Sequence, residues 1–358
     1  MKGKLLRPYY IIIMVSMVHA LSGAGNGLDQ KVHNDYGAVT GTINDYIKDA
    51  VVEKVVLYSQ DTQDSAKKIT RKGILVRYPR ARATIIICHG FMCDKFDAGF
   101  LRQAFKHGVY NFMAFDFRAH GEDAQGQHCT FGRDEAFEVI AAAQFINHHP
   151  DLKNKKKFAY GFSMGAVSAI EAVRKFADST RATTGSAQQL FDALILDCPF
   201  DSSQNVIKRN LDNVKFSFFG YEFNIPGRGI LEKYAFHPYV QSLVKLVLKT
   251  VAHMDSKNIS TYICPIAPVF SVKKVIVPCF FIHCKNDEKV SAQAAQKIFE
   301  NAGSRYKILW LTNGRHHFDS YFYNPEKYKD MVGTFLRNIL EGTVINKSLV
   351  RVIEDKEE

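Results

Sequence analysis

The stretch AYGFSMGA, Ala159 to Ala166, sets a serine between two glycines, each two positions away. A serine hydroxyl is a poor nucleophile at its own pKa. It needs an imidazole to take its proton, and the imidazole needs a carboxylate to fix its tautomer. A G-x-S-x-G string alone occurs by chance in many chains, so its surroundings decide its value. Here Phe158 to Gly161 reads as a strand and Ser163 onward as a helix, the strand, sharp turn and helix that would hold Ser163 as a nucleophile. Gly161 and Gly165 suit a turn in which the serine takes an unfavourable backbone conformation and neighbouring side chains would collide. Small Ala166 and Ala169 let the helix pack closely, and its first turn leaves unpaired N–H groups, that of Met164 among them, aimed at the serine.

The partners must come from elsewhere in the chain. A second donor for a developing oxyanion is available in ICHGFM, where a His-Gly turn at the end of a strand can present the Phe91 N–H. His89, directly after that strand, reads as a structural residue rather than the base. The acid and base are expected later, in the order Ser, Asp, His, each after its own strand. PCFFIHCKNDEKV ends a strand and puts Asp287 in the following loop; Asp197, at the end of the preceding strand, is the alternate acid. KILWLTNGRHHFDSY ends the last strand with two adjacent histidines, of which His317, three residues after Gly314, is preferred as base and His316 is the alternate.

These residues need a frame that brings strand ends together. From about residue 52, short apolar runs alternate with longer segments of helical period, the pattern of βαβ units and a mostly parallel sheet. Eight such runs are countable: Val55 to Leu57, Gly73 to Val76, Thr84 to Cys88, Phe112 to Phe115, Phe158 to Gly161, Ala193 to Leu196, Cys279 to Ile282 and Lys307 to Leu311. Helical segments run from Glu135 to Ile146, Ser163 to Phe176, Ala292 to Glu300 and Lys327 to Ile339. One long interval, about 201–274, breaks the rhythm. It carries an aromatic cluster (Phe216, Phe218, Phe219, Tyr221, Phe223), a turn from Pro226 and a helix-like stretch from Tyr239 to His253. Inserted after the sixth strand, it reads as a cap over the carboxyl ends of the sheet, where open α/β folds bind ligands. The charged tail from Val350 is expected to fray.

Composition narrows the class. With 46% hydrophobic and 23% charged residues, the 358-residue chain can bury a large core and is neither disordered nor a coiled coil. Lys2, Lys4 and Arg7 precede an apolar run, Tyr9 to Leu21, followed by small residues. That is the pattern of an export signal over residues 1–24, leading to a periplasmic or secreted chain of residues 25–358; an uncleaved membrane anchor is the alternative. The formal charge of +11 is scattered, its one run, Lys153 to Lys157, reads as a solvated turn, and no nucleic-acid motif accompanies it. Association with an anionic membrane surface stays open. Cys88, Cys198, Cys279 and Cys284 read as buried thiols, Cys93 and Cys129 fall in loops where they could pair, and no spacing resembles a zinc site.

Over roughly Val55 to Ile339 the chain resembles the α/β-hydrolase superfamily, in particular serine hydrolases of the monoacylglycerol-lipase, cinnamoyl-esterase and serine-aminopeptidase kinds. The resemblance is carried by CHGF, FDFRAHGED, CTFGRDE, AYGFSMGA, VPCFFIHCKNDEKV and NGRHHFDSY. It departs from the usual Asp-x-Arg-Gly-His-Gly at Ala119, which replaces the first of those glycines and should alter a turn. The resemblance implies an α/β-hydrolase fold with an eight-stranded, mostly parallel sheet flanked by helices. It also implies Ser163 as nucleophile, Asp287 as acid, His317 as base, Phe91 and Met164 as oxyanion donors, and neither cofactor nor metal. It does not fix the substrate. The aromatic interval favours a small or lipid-like acyl or aryl ester. A peptidase would use the same residues and want a polar anchor, for which the interval offers Asp212, Glu222 and Glu232. A non-catalytic binding protein on the same scaffold is the rival from another class.

Overall fold

The computed structural model describes residues 49–356 except 63–65, 123, 125–126, 214, 219–220, 225–233, 235–236, 238–263 and 345–346. The export-signal segment lies outside the described residues, as do the turn at Pro226 and the helix-like stretch 239–253. Strands β1 (Val51–Gln60) and β2 (Lys68–Arg77) alternate buried and exposed residues and pair antiparallel. Such alternation belongs to strands with one wet face. The next strands, β3 (Ala83–Cys88), β4 (Tyr110–Phe115), β5 (Lys156–Phe162) and β6 (Ala193–Asp197), are apolar along almost their whole length, as strands covered on both faces must be. A short hairpin, β7 (Lys215–Phe218) and β8 (Tyr221–Asn224), sets Phe216 opposite Phe223 within the long interval. Then come β9 (Cys279–Cys284), β10 (Tyr306–Thr312) and β11 (Leu349–Glu354).

Among the described residues nine strands form one sheet, in the order β1-β2-β4-β3-β5-β6-β9-β10-β11. From β4 onward all neighbours run parallel. Helices α1 (Ala136–His148), α2 (Met164–Thr184) and α4 (Ala292–Asn301) contribute to one core and α5 (Pro325–Leu340) to the other, while α3 (Ser203–Asn213) opens the long interval. Successive residues of β3 divide between the two cores, Ile86 and Cys88 in one, Ile85 and Ile87 in the other.

The ninth strand corrects the expectation of eight strands and a frayed tail. Leu349 to Glu354 pairs in register with Tyr306 to Leu311 of β10. Its side chains stay mostly exposed, so no apolar run announces it. What fixes it lies one residue on: buried Asp355 accepts from Trp310 Nε1 at 2.8 Å and Lys327 Nζ at 2.5 Å, and its carbonyl accepts from Lys285 Nζ. All seven cysteines are free, so Cys93 and Cys129 are not paired; the Cys129 thiol instead donates to Met164 Sδ at 3.5 Å.

Candidate active site

The turn between β5 and α2 holds Ser163 at φ 51°, ψ −118°, a conformation that costs an ordinary residue about 1–3 kcal/mol. A ladder bond on one side and a helix start on the other bracket it. The Ser163 N–H donates to the Asp197 carbonyl at 2.8 Å, extending the β5–β6 ladder by one bond past Phe162, and the helix begins at the next residue. Glycine on both sides is then a steric need: a Cβ on Gly161 would lie 2.5 Å from the Gly165 carbonyl oxygen, and one on Gly165 would overlap the carbonyl oxygen of Cys88.

Asp287 follows β9 and is buried. Its Oδ1 accepts from the N–H groups of Lys289 at 2.8 Å and Val290 at 2.9 Å, which leaves Oδ2 for an imidazole. His317 follows β10. Its Nδ1 lies 2.7 Å from Asp287 Oδ2 and its Nε2 2.9 Å from Ser163 Oγ. The carboxylate cannot donate, so Nδ1 carries the proton and Nε2 presents a lone pair to the hydroxyl. Burial raises the Asp287 pKa, but the charge and hydrogen bond of His317, with help from His283 and the Val290 N–H, more than offset it and bring it to about 2. The carboxylate therefore stays ionised beside the imidazole.

The alternates separate cleanly. His316 points away, with a side chain 75% exposed and Nδ1 3.7 Å from Glu288. Asp197 is buried and accepts from Tyr328 Oη at 2.7 Å and Tyr160 Oη at 3.2 Å rather than from an imidazole. Burial pushes its carboxyl up to about 6 despite those donors. His89 is structural: its Nε2 accepts from Phe117 N at 3.0 Å, so its proton sits on Nδ1, which bonds the Gly90 carbonyl at 2.7 Å.

Phe91 and Met164 both present main-chain N–H groups that donate to no acceptor among the described residues. The Phe91 loop is clamped on either side. His89 holds Gly90, and His120 Nε2 accepts from Met92 N at 3.1 Å while its Nδ1 bonds the Arg118 carbonyl at 2.9 Å. Burial holds the His89 pKa well below the ordinary imidazole range and brings that of His120 to about 4, so both are neutral near pH 7. Sequence reasoning missed His120, although it lies in FDFRAHGED. Ala119, beside it, keeps a left-handed φ of 60° where glycine would be unstrained.

Four further residues escaped notice. Phe162 and Phe318, the neighbours of Ser163 and His317, stack at 4.1 Å, and a Cβ on Gly90 would strike the Phe162 ring at 2.5 Å. The stack ties the serine turn to the histidine loop. Buried His283 bonds the Val290 carbonyl through Nε2 at 3.0 Å, which braces the Asp287 loop and leaves Nδ1 without a partner. Phe131, at φ 57°, packs against Phe91 at 4.6 Å, and its loop is fixed by Glu135, which accepts from Thr130 N and Gly132 N.

Cys198, Asp287 and His317 offer ligand atoms within 4.8 Å of one another. The His317 nitrogens are already engaged by Ser163 and Asp287, and burial drives the Cys198 thiol pKa well above its ordinary value, away from the thiolate a metal needs. The donor set suits proton relay better than metal binding.

Sequence comparison now decides the family: the sequence model of the Alpha/beta hydrolase family matches residues 85–330. The chain belongs to the alpha/beta hydrolase family. That membership supports hydrolase activity. The chain is also 24% identical over 263 residues to the uncharacterized protein YqkD of Bacillus subtilis (strain 168), covering 73% of each. In structure it is similar to the esterase Pf2001 of Pyrococcus furiosus, with a TM-score of 0.56 and 20% identity over 83% of this chain and 95% of that one. A 2,6-dihydroxy-pseudo-oxynicotine hydrolase gives a TM-score of 0.56 at 13% identity, over 86% and 72%. At such identities these structural likenesses speak for the fold.

Proposed function

We propose that the chain is a serine hydrolase that cleaves a carboxylic ester, with an acyl or aryl group, through an acyl-enzyme on Ser163. The reading is carried by one observation, the unbroken relay from Ser163 Oγ through His317 to Asp287, with bonds of 2.9 and 2.7 Å. In the first step Oγ attacks the ester carbonyl carbon as His317 Nε2 takes its proton, and the carbonyl oxygen gains charge. The Phe91 and Met164 N–H groups receive that charge. Collapse breaks the bond to the alkoxy group, which leaves as an alcohol with the proton from His317. Water then repeats the sequence on the acyl-enzyme, with His317 again as base, and frees the acid and the serine. Asp287 stays ionised throughout and stabilises the imidazolium.

Ester over amide is supported by the aromatic pair Phe91 and Phe131 beside the oxyanion donors, which suits an apolar acyl or aryl group, and by the esterase among the similar structures. A fluorophosphonate probe tests the mechanism: labelling of the wild type and none of Ser163→Ala is expected, whereas an unlabelled, well-folded wild type would sink it. Nitrophenyl esters of graded chain length, set against aminoacyl nitroanilides, test the substrate class. A preference for the anilides would move the reading to a peptidase.

A further inference from the structure

Beside the Asp287 loop lies an open cavity of about 390 Å³, lined by none of Ser163, Asp287 and His317. Asp201, Lys208 and Arg209 line it from the start of the long interval, and Lys289, Ser291 and Lys297 from the loop after β9 and the helix α4 that follows. Four cations thus share the walls with one carboxylate. That carboxylate is already committed, since Asp201 accepts from Asn205 Nδ2 at 2.7 Å and lies 3.6 Å from Lys297 Nζ. Arg209 is anchored on the carbonyls of Asp287 at 3.0 Å and Glu288 at 3.3 Å, so its guanidinium is held in place but forms no ion pair among the described residues. The ammonium groups of Lys208 and Lys289 have neither a hydrogen bond nor an ion pair among the described residues, and Lys289, whose main-chain N–H serves Asp287, is only 8% exposed.

The Lys289 stem is covered while its ammonium reaches the open cavity, which offers an anion a charge that no partner within the described residues has taken up. Burial pulls the Lys289 pKa below its ordinary value, and the nearby Glu288, Asp287 and Cys93 only partly restore it. The Ser291 hydroxyl caps α4 by accepting from Ala294 N at 3.2 Å, so the amino end of that helix adds positive potential without supplying an open side chain.

We propose that this cavity binds a phosphate-class anion, with Lys289 as the central contact and Lys208, Arg209 and Lys297 around it. With Lys297 set against Asp201, three cations remain without an ion pair among the described residues, more than a single carboxylate would use and suited to a dianion. The cavity is open and has room beside a phosphate for the organic part of a phosphomonoester, either soluble or the headgroup of a lipid. The site is independent of whether Ser163 is the nucleophile.

The test uses the full chain, wild type and Ser163→Ala, at constant ionic strength so that general screening does not vary. Titration with inorganic phosphate and with glycerol 3-phosphate, followed by calorimetry and 31P line width, should show one saturable site, tighter for the ester, and equal in the two proteins. Lys289→Met should weaken it at least tenfold, about 1.4 kcal/mol, and Lys208→Gln severalfold, while Lys153→Gln, in the solvated run before β5, should change nothing. If Lys289→Met fails to fold, the exposed pair Lys208→Gln with Lys297→Gln carries the same test. Vesicles of phosphatidylcholine with and without phosphatidic acid separate the sources: stronger binding to the acidic vesicles than to glycerol 3-phosphate assigns a lipid headgroup, and the reverse a soluble ester. Absence of saturable binding by either phosphate compound, or affinity unchanged in the lysine variants, overturns the proposal.

Discussion

Replacing Asp287 by asparagine should cost far more than a missing charge, because the loop dictates how the amide must sit. The two main-chain donors at Oδ1, Lys289 N and Val290 N, require the amide oxygen at that position. The NH2 group is then forced toward His317 Nδ1, 2.7 Å away. To avoid two opposed protons, the imidazole must move its own proton to Nε2, where it points at Ser163 Oγ and can no longer accept. The fold loses little and the base is disabled. A wrong tautomer of this kind lowers kcat by about 10⁴-fold, or about 5.4 kcal/mol in the barrier. The assay is nitrophenyl ester hydrolysis by wild type, Asp287→Asn and Asp197→Asn, with urea unfolding of each as the check on folding. Asp197 bonds two tyrosines and no imidazole, so its variant should keep activity within about tenfold. An Asp287→Asn enzyme within tenfold of wild type, or an Asp197→Asn enzyme that is inactive though folded, would refute the reasoning.

The two acids should also separate by pH. Asp197 has its pKa raised to about 6 in the fold against about 3.8 in the unfolded chain, so its ionisation opposes folding, and the penalty grows as pH rises from about 4 and is complete above about 6. Asp197→Asn should therefore gain about 3 kcal/mol relative to wild type between pH 4 and pH 7, read from denaturant midpoints. Asp287 has the opposite sign: its stabilising contribution is full above about pH 4 and is lost as pH falls toward about 2, so Asp287→Asn should remove that part of the acid sensitivity. Glu138→Ala would leave Arg118 buried without its carboxylate, which now accepts at 2.7 Å, and should cost about 3–5 kcal/mol in urea unfolding. Gly165→Ala should lower expression and thermal stability sharply, since its methyl group would overlap the Cys88 carbonyl; a variant as stable as wild type would contradict the packing described.

The sequence made the frame legible wherever strands were buried on both faces, because β3 to β6, β9 and β10 show as short, mainly apolar runs. It failed at β11, where one side of the strand is wet and the anchor is a single aspartate bonded to Trp310 and Lys327. The meeting of Ser163, Asp287 and His317 could be read because each stands just past a strand in a fixed chain order. The choice of His317 over His316 rested on spacing; the structural reason is the Phe162–Phe318 stack, a contact between residues far apart in the chain that no local pattern encodes. His120 stayed hidden for the same reason, since it acts on a loop from another strand, whereas His283 braces the loop after its own strand and sits inside an apolar run that reads as core.

The contact of Gly165 with the Cys88 and His89 carbonyls has a wider consequence. Main chain rests on main chain there, so the gap between the two amide groups that would receive the oxyanion is gauged by backbone thickness instead of by side-chain rotamers. Other segments of the chain can then be lengthened or exchanged without recalibrating that gap, so the spacing of the two amides is insulated from change elsewhere.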